Sequence, residues 1–209
     1  LQKNIMGLIN CGIDKKLLKH KNIGVTEYLA SKCNIKNNSE VMLIKSNHLS
    51  VSPITTHVDL KNVHKKISVK AIINKLKTIN SWFRLKIKKK PRIGVLGLNP
   101  HNAELRKQSE EVKIIIPAIK KAKKLGMKVN GPLVSDTLFM NDYKNYDVII
   151  GMYHDQIITP FKTIFKFNAI NLTLGLKYLR VSPDHGTATN LIGKNKANDE
   201  SLVQCIYFI

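Results

Sequence analysis

Three short runs of Val, Ile and Leu, each ending in turn residues and then a histidine, constrain this chain more than any other feature. Residues 49–54 lead to His57. Residues 93–98 lead to His101, in Gly97-Leu98-Asn99-Pro100-His101, and residues 148–152 lead to His154, in Met152-Tyr153-His154-Asp155-Gln156. Apolar stretches of that length, bounded by turn signals, read as buried strands. Each imidazole therefore falls near a strand's carboxyl end, the place where open α/β sheets bind ligands. Neutral imidazole is a common metal ligand, so three of them at one sheet edge can meet at one ion. Any one alone is more simply read as a hydrogen-bonded loop residue; the shared position is what favours a joint role. Their spacing matches no local metal motif of the HExxH or CxxC kind, so the inference depends on the fold.

Further strands are expected at residues 4–9, 41–45 and 169–174, and short helical pieces at 13–20 and 26–32 around a turn at 22–24. Asp59 is a plausible N-cap for a helix through Val63 and Ile67. Ser68 is another, for residues 69–79, where Val69, Ile72, Ile73 and Leu76 recur at helical spacing. Residues 82–90 read as a basic connector. Residues 110–125 form the clearest amphipathic helix, with Val112, Ile115, Ile116, Ile119 and Ala122 on one face. Ser109 caps it, Glu110 and Glu111 lie in its first turn, lysines fill its last, and Gly126 stops it. Pro117 inside it predicts a kink or a late start. A last helix is expected at 185–192, after a tight Pro183-Asp184 turn. Strands alternating with helices predict an α/β fold, layered α/β/α, with a largely parallel or mixed sheet.

The net charge of +21 raises the question of nucleic acid. It is discounted because the chain has 31 Lys against 4 Arg, together with 20 Asn, which looks like a global codon bias. A phosphate-reading face usually uses Arg, whose fork makes bidentate contacts. Neither a specific nucleic-acid partner nor a membrane is expected, since no apolar run approaches the length of a span. Three cysteines, Cys11, Cys33 and Cys205, with no paired spacing suit a reducing, cytoplasmic setting. The chain begins Leu1-Gln2-Lys3-Asn4, without Met or signal-peptide pattern, and ends in an apolar stretch, so truncation is expected.

Six motifs follow one another in the order of a known family. They are Thr55-Thr56-His57, Gly97-Leu98-Asn99-Pro100-His101, Asn130-Gly131-Pro132-Leu133 with Ser135-Asp136-Thr137-Leu138-Phe139, Met152-Tyr153-His154-Asp155-Gln156, Asn171-Leu172-Thr173-Leu174-Gly175-Leu176, and Asp184-His185-Gly186-Thr187-Ala188. Together they resemble the 4-hydroxythreonine-4-phosphate dehydrogenases of vitamin B6 synthesis. The resemblance implies an isocitrate-dehydrogenase-like fold, incomplete here, with residues 1–190 as the main substrate- and metal-binding domain and 191–209 as a remnant of the second. It implies a homodimer and oxidation of 4-phosphooxy-L-threonine by NAD(P), with loss of CO2 to give 3-amino-2-oxopropyl phosphate. A divalent ion (zinc, magnesium or cobalt) is implied at His57, His101 and His154, shared between subunits. Substrate contacts are implied at Thr26, Lys162, Asn171 and Arg180, and cofactor contacts at His185, Gly186 and Thr187. Asp136, Asp155 and Lys162 are the candidate catalytic groups. The two carboxylates read either as proton acceptors and imidazole orienters or as turn and cap residues.

Three departures from the family pattern accompany the likeness. The family's N-terminal segment is absent. Its Gly-His-Thr-Glu motif reads Gly24-Val25-Thr26-Glu27, so a polar substrate contact is lost. Its glycine-rich loop after Asn-Pro-His reads Asn102-Ala103-Glu104-Leu105-Arg106-Lys107-Gln108, and without glycine's tolerance of positive φ another loop shape is expected. The rivals to an active enzyme are a catalytically impaired remnant and a related dehydrogenase of another phosphorylated hydroxy acid.

Overall fold

The computed structural model describes residues 7–14, 25–33, 35 and 39–209, with Glu27 by its backbone alone. The turn expected at 22–24 lies outside these residues. So does most of the helix expected at 13–20, whose first two residues are not helical.

Among the described residues, eight strands form a single sheet in the order β1-β8-β7-β2-β3-β6-β4-β5. They are β1 (Gly7–Ile9), β2 (Val41–Lys45), β3 (Ser50–Thr55), β4 (Arg92–Leu96), β5 (Lys128–Leu133), β6 (Val148–Tyr153), β7 (Ile170–Leu174) and β8 (Leu179–Pro183). β3, β6, β4 and β5 run parallel, and β1 runs parallel to β8. β2 is antiparallel to β3 and β7, and β7 to β8. The sheet is therefore mixed. Two tight connections make it so, because a short turn can return a chain only antiparallel. Ser46 closes the β2–β3 turn by accepting at Oγ from His48 N (3.2 Å) and Leu49 N (3.1 Å). Gly175, with φ of +91°, opens the β7–β8 turn.

Among the described residues, seven α-helices accompany the sheet: α1 (Val25–Lys32), α2 (Val63–Lys66), α3 (Val69–Trp82), α4 (Ile116–Lys124), α5 (Ser135–Leu138), α6 (His154–Phe165) and α7 (Glu200–Phe208). Alternation along the strands sorts the core into two layers. Val148, Ile150 and Met152 of β6 face a cluster with Ile72, Leu76 and Ile79 of α3, Ala118 and Ile119 of α4 and Cys205 of α7. Ile149 faces the opposite cluster, with Leu138 of α5 and Ile157, Ile158 and Phe161 of α6. Helices thus lie on both faces, as the alternation of elements predicts.

Several boundaries differ from the sequence reading. Ser68 caps α3 as expected, accepting from Ala71 N at 3.1 Å, but the helix runs on to Trp82 and continues as a π-turn through Phe83–Ile87 where a connector was expected. Asp59 opens a 3-10 turn rather than a long helix and makes no side-chain cap. The helix over 110–125 starts late, as Pro117 requires: a π-turn over Glu111–Ile115 precedes α4. The helix expected at 185–192 does not form. Only Thr189–Leu191 make a 3-10 turn, and 184–188 are irregular, because that stretch has no apolar periodicity to bury. β5, β8, α6 and α7 were not expected from the sequence.

Candidate active site

β3, β6 and β4 are adjacent and parallel, so the residues after them leave from one edge of the sheet. His57, His101 and His154 all stand there. The rings of His57 and His154 stack with centroids 6.2 Å apart, and an open hollow beside them is lined by Thr56, Asp59, Tyr153 and Asp155 as well. Asp155 Oδ1 lies 2.7 Å from His154 Nδ1. An ionised carboxylate only accepts, so this contact would place the proton on Nδ1 and leave Nε2 as the ligating nitrogen of a neutral ring. Asp136 is exposed in the first turn of α5, just after β5, the neighbour of β4 on the same edge. The donor chemistry thus fits a divalent ion. Among the described residues, however, no three His, Cys, Asp or Glu side chains of one chain come together around a single point.

Buried and half-buried polar groups to which the sequence reading gave no role at the site hold this edge. Thr55 Oγ1 donates to Met152 O at 2.8 Å, tying β3 to β6. Gln156 accepts from Met152 N and donates to Gly97 O, each at 2.7 Å, tying β6 to β4. Glu111, fully buried, accepts at Oε1 from Leu98 N and Asn99 N, both at 2.8 Å. Burial pushes its carboxyl up, but these donors and the Asn99 amide outweigh that and hold it below the usual carboxylate range. The sequence signal for Glu111 pointed to a helix first turn, which hid its contact with a loop twelve or more residues away. His101, Asn102, Ala103, Glu104 and Leu105 all have positive φ, a left-handed turn built without glycine. The loop for which another shape is expected without the family's glycines thus still uses positive φ. Asn102 Nδ2 donates to Pro132 O at 3.1 Å and Ala103 is buried, contacts that offset the steric cost of the turn.

A second polar group gathers on β7, β8 and their neighbours. Arg180 is buried, which lowers its pKa. It donates from Nε to Asn10 Oδ1 (2.7 Å) and from its terminal nitrogen to Thr173 Oγ1 (3.1 Å). Thr173 Oγ1 shares a hydrogen bond with Thr26 Oγ1 at 3.3 Å. Two of the expected substrate residues, Thr26 and Arg180, are thus brought together through a third. Asn171 lies on β7 two residues before Thr173, and its Oδ1 is buried without a partner. Lys162 Nζ donates to Asp184 O at 2.5 Å and stands 3.5 Å from Asp184 Oδ1. Burial pushes the Asp184 carboxyl up, countered in part by Lys162, and its Oδ2 also lacks a partner. His185, Gly186 and Thr187 follow on an irregular segment. His185 packs edge-on to Phe167, and a side chain at Gly12 would strike Gly186 and Thr187.

β8 runs opposite to β3 and is separated from it by β7 and β2, so residues 184–187 leave from the edge opposite the histidines. The histidines and residues 184–187 of one chain therefore stand apart, at opposite edges of the sheet.

The chain has counterparts among known proteins. The chain matches the family described as pyridoxal phosphate biosynthetic protein PdxA over residues 1–209. It is 40% identical to the 4-hydroxythreonine-4-phosphate dehydrogenase of Aquifex aeolicus, covering 100% of this chain and 66% of that one. It is 39% identical to the enzyme of the same name from Sulfurihydrogenibium, covering 99% and 65%. A crystal structure titled as a 4-hydroxythreonine-4-phosphate dehydrogenase from Klebsiella pneumoniae superposes with a TM-score of 0.81 at 32% identity, over 96% of this chain and 62% of that one. The α/β/α, isocitrate-dehydrogenase-like fold expected from the motifs is shared with these proteins. The chain spans just under two thirds of the length of the relatives it matches. On a match that runs from its first residue to its last, it belongs to the PdxA family of pyridoxal phosphate biosynthetic proteins.

Proposed function

We propose that this chain takes part in oxidising 4-phosphooxy-L-threonine, with loss of CO2, to 3-amino-2-oxopropyl phosphate, as a cytoplasmic homodimer whose metal site is completed by a second copy. The observation that carries the reading is the presence of three imidazoles at the carboxyl ends of three adjacent parallel strands. A dimer is supported because His57 and His154 stack while, among the described residues, no third ligand of the same chain joins them. His57, His101 and His154 would hold zinc, magnesium or cobalt, and His185, Gly186 and Thr187 would contact NAD(P). When bound, the ion supplies Lewis acidity at the substrate hydroxyl and the nicotinamide a two-electron acceptor.

The chain's own residues do the rest. Arg180 and Lys162 neutralise the carboxylate and phosphate of the substrate, Arg180 in bidentate fashion. Thr26 and Asn171 supply hydrogen bonds, and the unpartnered Asn171 Oδ1 is an acceptor waiting for a donor. Oxidation removes a hydride from carbon and a proton from the hydroxyl. Decarboxylation then leaves an electron pair on the adjacent carbon, which a proton quenches. Asp136 and Lys162 are the groups proposed to move these protons, while Asp155 holds His154 in the ligating tautomer. The division into a main domain, residues 1–190, and a remnant of a second, residues 191–209, rests on the family resemblance; α7 itself packs on β8 and places Cys205 in the main core.

One observation favours a second reading, an impaired remnant: Val25 stands where a histidine precedes the threonine in the family pattern. The test measures NADH formation from 4-phosphooxy-L-threonine with Zn2+, Mg2+ or Co2+, beside other phosphorylated hydroxy acids, and measures metal binding by calorimetry. Turnover abolished in His57→Ala, His101→Ala and His154→Ala supports the first reading. Histidine-dependent metal binding without turnover, restored by Val25→His, supports the second. No histidine-dependent metal binding overturns both.

A further inference from the structure

The turn that carries His101 is built from unfavourable backbone, yet it is held from three sides. Five successive non-glycine residues from His101 to Leu105 have positive φ, a conformation that costs about 1–2 kcal/mol per residue for L-amino acids. Such backbone persists only where its surroundings over-determine it. On one side the buried Glu111 carboxylate takes both N–H groups of Leu98 and Asn99 and also accepts from the Asn99 amide, at 3.1 Å to Oε2. On a second side, Gln156 holds Gly97 O through Nε2 while its Oε1 holds Met152 N. On the third, Gly97 N donates to Leu133 O at 3.0 Å. The packing leaves no room for adjustment, since a Cβ at Gly97 would collide with Asn102 and crowd Glu111.

Gln156 is the informative member. It lies two residues after His154 in the first turn of α6, and the backbone groups it bridges are the end of His154's strand and the start of His101's turn. We infer that Gln156 and Glu111 are positioning residues which fix the Gly97–His101 turn against the start of the His154 helix and so set where each chain holds out His101 to a metal site that two copies complete. This rests on the proposal that the three histidines bind a metal. It adds a cause for their spacing: one amide that satisfies a donor on β6 and an acceptor after β4 together, and one carboxylate that gathers the N–H groups between them. Residues that orient ligands without touching the ion typically change affinity 10–100-fold when replaced.

The experiment titrates the full chain with Co2+ alone, following calorimetric affinity and the visible cobalt absorption that reports ligand geometry. His57→Ala, His101→Ala and His154→Ala identify the histidine-dependent signal. Gln156→Leu and Glu111→Gln are expected to weaken Co2+ binding by about 10–100-fold and to shift the cobalt spectrum while the chain stays folded by circular dichroism. Ile79→Val, a core truncation far from the turn, serves as a stability control and is expected to lower the melting temperature with affinity and spectrum unchanged. A parent chain with histidine-dependent cobalt binding, and Gln156→Leu and Glu111→Gln variants matching it in affinity and spectrum, would overturn the inference and leave the metal reading standing. Loss of binding in proportion to melting temperature, in Ile79→Val as in the others, would also overturn it. No histidine-dependent signal in the parent overturns the metal reading and the inference with it.

Discussion

Asp147 shows how one carboxylate can join strands that are far apart in sequence. Its Oδ2 accepts from Arg92 N at 2.8 Å and its Oδ1 from Lys89 Nζ at 2.7 Å. Its own N–H donates to Arg92 O at 2.9 Å, so β4 and β6 begin in register. Burial pushes this carboxyl up, but the Arg92 N–H, Lys89 and the Arg92 guanidinium together hold it below the ordinary carboxylate range. A group with a depressed folded pKa stabilises fully above its unfolded pKa, and that contribution is lost as pH falls through the folded value. Asp147→Asn is therefore expected to cost about 1–3 kcal/mol near neutral pH, with the gap to the parent closing as pH drops below the usual carboxylate range. Urea midpoints of both chains across that range check it; a gap that stays constant with pH would show that the loss is not ionic. Asp147, Glu111 and Gln156 were not legible in the sequence, because their partners are backbone groups of distant segments that no local pattern marks. The histidines were legible, since a strand's apolar run announces where its carboxyl end falls.

Elements were legible where periodicity and punctuation agree. Ser68 before the apolar spacing of α3 is such a case, and Ser68→Ala is expected to cost about 1 kcal/mol by orphaning the Ala71 N–H, read from thermal unfolding. Elements were missed where a breaker residue sits inside them. β5 contains Gly131-Pro132 and so reads as a turn. Proline is tolerated there because β5 is a sheet edge, where a missing N–H leaves no ladder bond unmade. Gly131 has φ of +139° and its missing Cβ makes room for Val95 O, so Gly131→Ala is expected to be far more damaging than Ser68→Ala, at about 3 kcal/mol or more. Equal losses in the two variants would mean that β5 relaxes freely. α6 was hidden for a related reason. Pro160 lies within it, and β6 passes into the helix at His154 without a linker, so the apolar run and the helical run merge. β8 is five residues between Gly175 and the Pro183 turn, too short to show alternation.

At the scale of the molecule, the sheet protects its β5 edge but leaves one end exposed. β5 carries Lys128 and Pro132, both of which discourage strand-to-strand growth. The carboxyl end of the parallel quartet differs. Leu60, Leu105 and Met140, each a few residues past His57, His101 and Asp136, are exposed by 68%, 55% and 72%. Apolar side chains around the proposed metal ligands, which among the described residues of one chain do not assemble around a single point, make this end the expected contact between copies. The net charge of +21 acts against that contact. Repulsion reaches about 30 Å at ~0.01 M salt and about 8 Å at ~0.15 M, so it falls within the span of the molecule as salt rises. Sedimentation should accordingly show more monomer at low salt, more dimer at physiological salt, and a further shift to dimer with Co2+ that His101→Ala removes. If association rises with salt but ignores both Co2+ and His101, the apolar end is sticky without being the proposed interface. A monomer under every condition would remove the second copy from the site altogether.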